Sequence, residues 1–144
     1  MSDLETIDYS KTLFNNGFGC AEAVLIAIAG KKNIDSELIP RIATGFCGGM
    51  AKTNGMCGAV SGGVMAISLI HGRNLASEPR EMVDKKIQQF IHTFTTKFGH
   101  TACTDLTGCD LSTEIGLEAF KAQNIHSTCT EFVGEATKAI LEII

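Results

Sequence analysis

The sequence predicts an all-α fold: one domain over residues 1–144, built as a helical bundle of about six to seven helices with a buried, glycine-rich helix at its centre. Apolar residues recur at helical spacing along most of the chain, whereas few segments alternate apolar and polar residues as strands do. Only two prolines occur in 144 residues. This length suits one domain, and no linker rich in Pro, Gly or Ser divides it.

The first half of the chain predicts three helices. Residues 4–14 show helical spacing and end at Asn15-Asn16-Gly17, a sequence typical of a helix C-terminus. A second helix is predicted over residues 20–29, with Gly30 ending it. A third is expected over residues 36–46, with Ser36 as N-cap, Pro40 near the first turn and a break at Gly48-Gly49.

The second half predicts four further helices and one short turn. Residues 57–70 form the fourth predicted helix, ended by His71-Gly72. The fifth is the longest, with Ser77 as its cap and Gly99 as its end. Its apolar face consists of Val83, Ile87, Phe90, Ile91, Phe94 and Phe98. A short helical turn opens at Cys103, Ser112 caps a helix toward Ala122, and Ser127 or Thr128 caps the last helix.

Small residues form a stripe on the fourth predicted helix. Gly58 and Gly62 are four residues apart, as are Ala59 and Gly63. Because glycine costs roughly 1 kcal/mol in a helix relative to alanine, this clustering indicates a geometric need. Small residues at this spacing let another backbone approach closely. The partner is either another helix of the same chain or the same stripe of a second copy in a homodimer.

Charge and hydropathy exclude several classes of protein. Twelve basic against sixteen acidic side chains give a net charge of −4, and without a basic stripe this argues against nucleic acid as a partner. The N-terminus lacks the basic and apolar regions of a secretory signal, so a cytoplasmic location is expected. Residues 53–70 carry no charge, but their glycines and polar side chains predict a buried core helix rather than a membrane span.

Cysteine is the residue type that points to chemistry. The chain has six: Cys20, Cys47, Cys57, Cys103, Cys109 and Cys129. In a reducing cytoplasm such a number indicates redox or metal chemistry more than structural disulfides. Cys20 and Cys57 both follow glycine-bearing turns where a helix begins. A helix N-terminus carries partial positive charge and free N–H groups, which favour the nucleophilic, metal-binding thiolate.

The spacing of these cysteines excludes the best-known motifs. No C-x-x-C pair occurs, which removes the thioredoxin-type signature and weakens the zinc-ribbon and bacterial ferredoxin interpretations. The haem signature C-x-x-C-H, a phosphate loop and a dinucleotide fingerprint are also absent. The pattern H-x-x-C occurs twice, at His100/Cys103 and His126/Cys129. On a helix this spacing would allow a Cys–His pair or a shared zinc site, although it also arises by chance.

Four segments together resemble the family of redox-active proteins named for the C_GCAxxG_C_C pattern. The C-G-A-x-x-G motif reads Cys57-Gly58-Ala59-Val60-Ser61-Gly62. The run from Gly17 through Cys20 to Leu25 resembles the first cysteine segment of the family. The segments that begin at Cys103 and Cys129 resemble the third and fourth. Cys47 and Cys109 lie outside the four-cysteine pattern.

The resemblance implies redox activity based on cysteines without naming a reaction or a partner. The first hypothesis is a thiol–disulfide redox protein, with Cys57 as the thiolate and Cys20, Cys103 or Cys129 as its partner. The second is an iron–sulfur cluster or another thiophilic metal held by the same four cysteines. Weaker candidate ligands are Cys47, Cys109, His100 and His126. The third hypothesis is a dimeric scaffold in which the cysteines only pack.

Overall fold

Helices are the regular secondary structure throughout the chain, as the sequence predicts. The computed structural model describes residues 1–144. It contains eight α-helices and one 3-10 helix, more than the six to seven expected. In order they are α1 (Asp3–Asn15), α2 (Cys20–Lys31), a 3-10 helix (Arg41–Phe46), α3 (Cys47–Lys52), α4 (Gly58–His71), α5 (Glu81–Phe98), α6 (Cys103–Thr107), α7 (Glu114–Ala122) and α8 (Ile125–Leu141).

Helix boundaries fixed by local capping agree with the sequence predictions. α1 ends at Asn15, and α5 ends with Gly99 in the left-handed conformation at φ 83°. Cys57 is the N-cap of α4, which runs one residue beyond the predicted end. α1 begins with a capping box, in which the Ser2 Oγ accepts the Glu5 N–H at 3.1 Å.

Five predicted boundaries are wrong. Gly30 does not end α2, because the helix continues to Lys31. The third helix is a 3-10 helix that begins only after Pro40, and Ser36 instead accepts the Leu38 N–H in a turn. The remaining errors are N-caps. Arg80 rather than Ser77 precedes α5, Thr113 rather than Ser112 caps α7, and Asn124 rather than Ser127 or Thr128 precedes α8.

The core lies where α2, α4, α5 and α8 pack together. Its largest fully buried side chains include Val24, Ile28, Ile67, Phe90 and Ile140. α2 is almost wholly apolar because it packs against α1 on one side and against α4 and α8 on others. Burial of apolar surface from four helices is the main favourable contribution to folding.

The small-residue stripe of α4 is filled within the chain. A Cβ on Gly62 would lie 2.6 Å from the Ala21 carbonyl oxygen, so the backbones of α4 and α2 touch there. A Cβ on Gly63 would overlap the ring of Phe90 from α5. Glycine at these positions allows α4 to approach both helices closely, and α4 thereby brings its N-terminus to the N-terminus of α2.

The uncharged stretch at residues 53–70 does not form a membrane-spanning helix. None of the helices combines the length and the apolar character that crossing a bilayer requires.

Candidate functional site

Four cysteines from four separate segments line one small cavity of about 110 Å³. They are Cys20, Cys57, Cys103 and Cys129, the same four that were chosen from the sequence. The remaining wall is mostly apolar and consists of Phe14, Gly19, Gly48, Gly58, Leu106, Thr107, Leu111, Phe120 and Phe132. Cysteines up to 109 positions apart in the sequence thus line a common space.

Close helix packing places Cys20 beside Cys57. Cys20 is the first residue of α2, after the N-cap Gly19, and Cys57 is the N-cap of α4. A Cβ on Gly58 would overlap the Cys20 sulfur, so this sulfur lies directly on the α4 backbone. The glycine that follows Cys57 therefore allows the two cysteine-bearing helix starts to meet.

A short backbone pairing places Cys103 beside Cys57. Met56 and Ala102 form an isolated antiparallel bridge. On either side of it, the Cys57 N–H donates to the Thr101 carbonyl at 2.7 Å and the Cys103 N–H donates to the Gly55 carbonyl at 2.9 Å. Both cysteines are buried as a result.

Burial dominates the ionisation of the thiols in this group. Burial raises the pKa of Cys57 to about 12, although the backbone N–H groups of Ala59 and Val60 lower it. The pKa of Cys129 is also raised to about 12, first by burial and then by Cys103 and Cys109. Burial likewise raises the pKa of Cys103. Desolvation thus opposes the Cys57 thiolate that the helix start favours, and it outweighs the N–H groups.

The fourth cysteine reaches the cavity from within a helix. α8 begins at Ile125, so Cys129 lies in its second turn rather than at its start. His126 is exposed, and its ring stacks on that of Phe14 with the centroids 4.3 Å apart. His100 precedes α6 and is exposed, so the helix-face argument does not apply to His100 and Cys103.

Cys47 is the partner that sequence reasoning undervalued. A Cβ on Gly19 would overlap the Cys47 sulfur, which places this side chain against the residue next to Cys20. The pKa of Cys47 is raised far above the usual value, first by a hydrogen bond with the Cys20 side chain and then by burial. Nothing in the local sequence around Cys47 announces this contact.

A carboxylate adjoins this cysteine pair. The Cys47 thiol donates to Glu22 Oε1 at 3.7 Å and also faces the Ala43 carbonyl at 3.6 Å. The same carboxylate accepts the Gly19 N–H at 2.8 Å, which caps α2, and the Thr44 hydroxyl at 2.8 Å. Glu22 is therefore the acidic group within reach of the Cys47 proton.

A left-handed turn connects the Cys20–Cys47 pair with the buried pair of Cys57 and Cys103. α3 begins at Cys47, and its inner residues have φ of 68° at Gly48, 70° at Gly49, 64° at Met50 and 55° at Ala51. Such a conformation costs about 1–2 kcal/mol for each residue with a Cβ. A Cβ on Gly49 would lie 2.6 Å from the Cys103 Cβ, so the turn packs directly on Cys103. The predicted break at Gly48-Gly49 is thus a strained connection.

The sixth cysteine, Cys109, lies close to the cavity without lining it. Cys109 is buried in a small apolar cluster with Cys103 and Leu111. The Thr107 hydroxyl links them, donating to the Cys103 carbonyl at 2.8 Å and accepting the Cys109 N–H at 3.2 Å. All six thiols are free. Nowhere are three or more His, Cys, Asp or Glu side chains close enough together to hold one metal ion.

A match to a known protein family also points to redox chemistry based on cysteines. Residues 18–143 match the family described as "Putative redox-active protein (C_GCAxxG_C_C)". Because the match covers most of the chain, the chain belongs to this family, as the cysteine motifs predict. No curated protein and no solved structure matches the chain. The description of the family supports a redox role.

Proposed function

We propose that this member of the C_GCAxxG_C_C family is a thiol–disulfide redox protein, in which Cys20 is the reactive thiolate and Cys47 closes the disulfide. The observation that supports this most is that Cys20 lines the cavity, while the Cys47 sulfur packs outside it against Gly19, the residue that precedes Cys20. The proposal moves the nucleophile from Cys57 to Cys20. It includes a cytoplasmic location and an unidentified redox partner.

Two physical differences favour Cys20 over Cys57. Cys20 is only half-buried at the N-terminus of a helix of 12 residues, where the partial positive charge stabilises an anion. Cys57 is buried, and burial raises its pKa to about 12. A thiol with that pKa is ionised in roughly one molecule in 10⁵ at pH 7.

The exchange proceeds in two balanced steps. The Cys20 thiolate attacks one sulfur of a substrate disulfide, which forms a mixed disulfide and releases the other half as a thiolate. Cys47 then transfers its proton to Glu22, 3.7 Å away, and attacks the Cys20 sulfur. The Cys20–Cys47 disulfide forms and the second substrate thiolate leaves. The two thiols lose two electrons, and the substrate disulfide gains them.

Equilibration with redox buffers made from a small neutral disulfide and its thiol, dimethyl disulfide and methanethiol, tests this proposal. The reduced protein carries six thiols, and the oxidised protein is expected to carry four after a single two-electron transition. Cys20→Ser is expected to abolish the transition, whereas Cys57→Ser retains it. Six thiols at every buffer ratio, or a transition that survives Cys20→Ser, would contradict the proposal.

A metal or iron–sulfur site is the second candidate, because four cysteines line one cavity. Its ligands would be Cys20, Cys57, Cys103 and Cys129, which must rotate toward one another to share an ion. Thiolate ligation would also remove the raised pKa values of the buried thiols. Anaerobic purification followed by iron, zinc, copper and sulfide analysis tests it. A metal-free protein that takes up none of these on reconstitution would exclude it.

The third alternative is a dimeric scaffold in which the cysteines only pack. This alternative predicts that no thiol is lost to oxidation in redox buffers. It also predicts that single Cys→Ser changes leave the stability unaffected. Since the stripe of small residues in α4 contacts helices of the same chain, a dimer would have to use another surface. Sedimentation at several protein concentrations would detect it.

A further inference from the structure

The size of the cysteine-lined cavity limits what it can hold. Its volume is about 110 Å³. An apolar cavity of roughly 150 Å³ is sufficient for benzene, so an occupant here has at most about six heavy atoms. A peptide or a tripeptide such as glutathione is much larger than this. A protein disulfide would reach Cys20 only if the helices moved apart.

The chemistry of the wall limits the occupant further. No lysine, arginine, histidine, aspartate or glutamate lines the cavity. Besides the thiols, Thr107 is the only lining side chain with a polar group, and its hydroxyl is engaged with the Cys103 carbonyl at 2.8 Å. Phe14, Phe120 and Phe132 contribute apolar ring surface. A charged ligand would lose its hydration here without gaining a partner.

We propose that this cavity is the substrate pocket of the redox site and that it takes a small, uncharged dialkyl disulfide of about the size of dimethyl disulfide. This inference rests on the proposed function, which it deepens by naming the substrate class. Apolar walls bind the alkyl groups, and the soft, polarisable sulfur atoms lie among thiols and aromatic rings.

The position of Cys20 gives the pocket its chemical role. Cys20 lines the cavity with its sulfur against Gly58, another lining residue, whereas Cys47 packs against Gly19 without lining the cavity. The Cys20 thiolate attacks one sulfur of the bound disulfide, so one alkanethiolate leaves and takes up a proton. Cys47 then attacks the Cys20 sulfur, and the second alkanethiolate leaves. One disulfide is reduced to two thiols while one dithiol is oxidised.

A comparison of disulfides that differ in size and charge tests the pocket. The disulfides are neutral dimethyl disulfide, cationic cystamine and glutathione disulfide, each reacted with the reduced full-length protein. Each rate is divided by the rate of the same reagent with the protein unfolded in urea, which corrects for intrinsic reactivity. The ratio for dimethyl disulfide is expected to exceed the other two by about tenfold or more. Equal ratios would overturn the inference.

A matched pair of variants separates the pocket from general packing effects. Leu106 and Leu117 are both half-buried leucines that pack against buried clusters, Leu106 against the main core and Leu117 against Cys103 and Leu111, but only Leu106 lines the cavity. Leu106→Phe fills the cavity and is expected to slow exchange with dimethyl disulfide by about tenfold. Leu117→Phe is expected to leave the rate within about twofold of the unchanged protein. Equal effects of the two changes would contradict a pocket at this position.

Binding of an unreactive analogue distinguishes failure of the pocket from failure of the redox proposal. Dimethyl sulfide has no S–S bond, so its binding requires no redox chemistry. In the reduced protein it is expected to shift the NMR methyl signals of Leu106 and Leu111 but not those of Leu38, which lies outside the cavity. No shift at saturating dimethyl sulfide overturns the pocket. A shift without any disulfide exchange keeps the pocket and refutes the redox chemistry.

Discussion

Two pairs of cysteines lie close together in this protein, Cys20 with Cys47 and Cys57 with Cys103. Their surroundings differ more than their flanking sequences suggest. Cys20 and Cys47 are half-buried, and a carboxylate lies within reach of the Cys47 thiol. Cys57 and Cys103 are buried, although each also sits at a helix start. The comparison teaches that a helix N-terminus does not by itself activate a thiol, because burial can outweigh it.

The reactivity of the two groups toward an alkylating agent is the largest expected difference. Burial raises the pKa of Cys57 to about 12, so its thiolate fraction at pH 7 is about a thousandfold below that of a free cysteine. Iodoacetamide labelling followed by peptide mass spectrometry measures each site. Cys20 is expected to be modified first, and Cys57 and Cys129 last. Labelling of Cys57 ahead of Cys20 would reverse the assignment.

The pH dependence of stability should depend on the buried group. Because the folded-state pKa of Cys57 lies above the unfolded value, this thiol contributes stability that is complete below about pH 9. The contribution is lost as pH rises toward 12, and amounts to roughly 4 kcal/mol at most. Urea unfolding at pH 8 and pH 11 is expected to show a smaller loss for Cys57→Ser than for the unchanged protein.

If Cys57→Ser and the unchanged protein lose the same stability between these two pH values, the Cys57 thiol does not carry the dependence. Every other ionisable group is present in both proteins, so its contribution cancels in the comparison.

How far the sequence predicts the structure depends on whether the signal is local. The ends of α1 and α5 and the start of α4 were predictable because Asn16, Gly99 and the glycines around Cys57 act on neighbouring backbone. The start of α8 was not, because Asn124 adopts a left-handed conformation that competes with the nearby Ser127 and Thr128 as N-cap.

The four cysteines of the cavity were also predictable, but their chemistry was not. The helix-start settings of Cys20, Cys57 and Cys103 are local, and the family resemblance links these residues with Cys129. The contact between Cys47 and Cys20 depends on α2 meeting the 3-10 helix, and the raised pKa of Cys57 depends on burial by the whole fold. Both properties arise from tertiary packing, which leaves no signature in the flanking residues.

Glu22→Gln should affect the second step of exchange and not the first. The amide oxygen can still accept the Gly19 N–H, so the α2 cap is retained, but it cannot take the Cys47 proton. Loss of a general base is expected to slow disulfide closure by about a hundredfold. Mass spectrometry should then detect a mixed disulfide that accumulates on Cys20. Glu118→Gln, at an exposed position of α7, serves as the control.

Rapid closure in Glu22→Gln, at the rate of the Glu118→Gln control, would exclude Glu22 as the proton acceptor. It would leave the cysteine pair itself unaffected, because the contact between Cys20 and Cys47 does not depend on this carboxylate.

The smallest expected effect concerns the packing that brings the two groups together. Gly62→Ala would press a methyl group against the Ala21 backbone, 2.6 Å from its carbonyl oxygen, and is expected to destabilise the fold by about 1–3 kcal/mol. Gly30→Ala in α2 meets only the end of the Met1 side chain at 3.6 Å. Since alanine is the better helix former, this change should be neutral or stabilising by up to about 1 kcal/mol.

Urea denaturation measures both glycine variants. Equal destabilisation by Gly62→Ala and Gly30→Ala would show that close approach of α2 and α4 is not the reason for glycine at position 62.

The identity of the first disulfide tests the central claim most directly. The reduced protein is treated anaerobically with one equivalent of diamide, the remaining thiols are blocked with N-ethylmaleimide, and the digest is mapped by mass spectrometry without reduction. We predict a Cys20–Cys47 disulfide, with Cys57, Cys103, Cys109 and Cys129 all blocked as free thiols. A first disulfide that joins any two of those four, with Cys20 and Cys47 still free, would contradict the account.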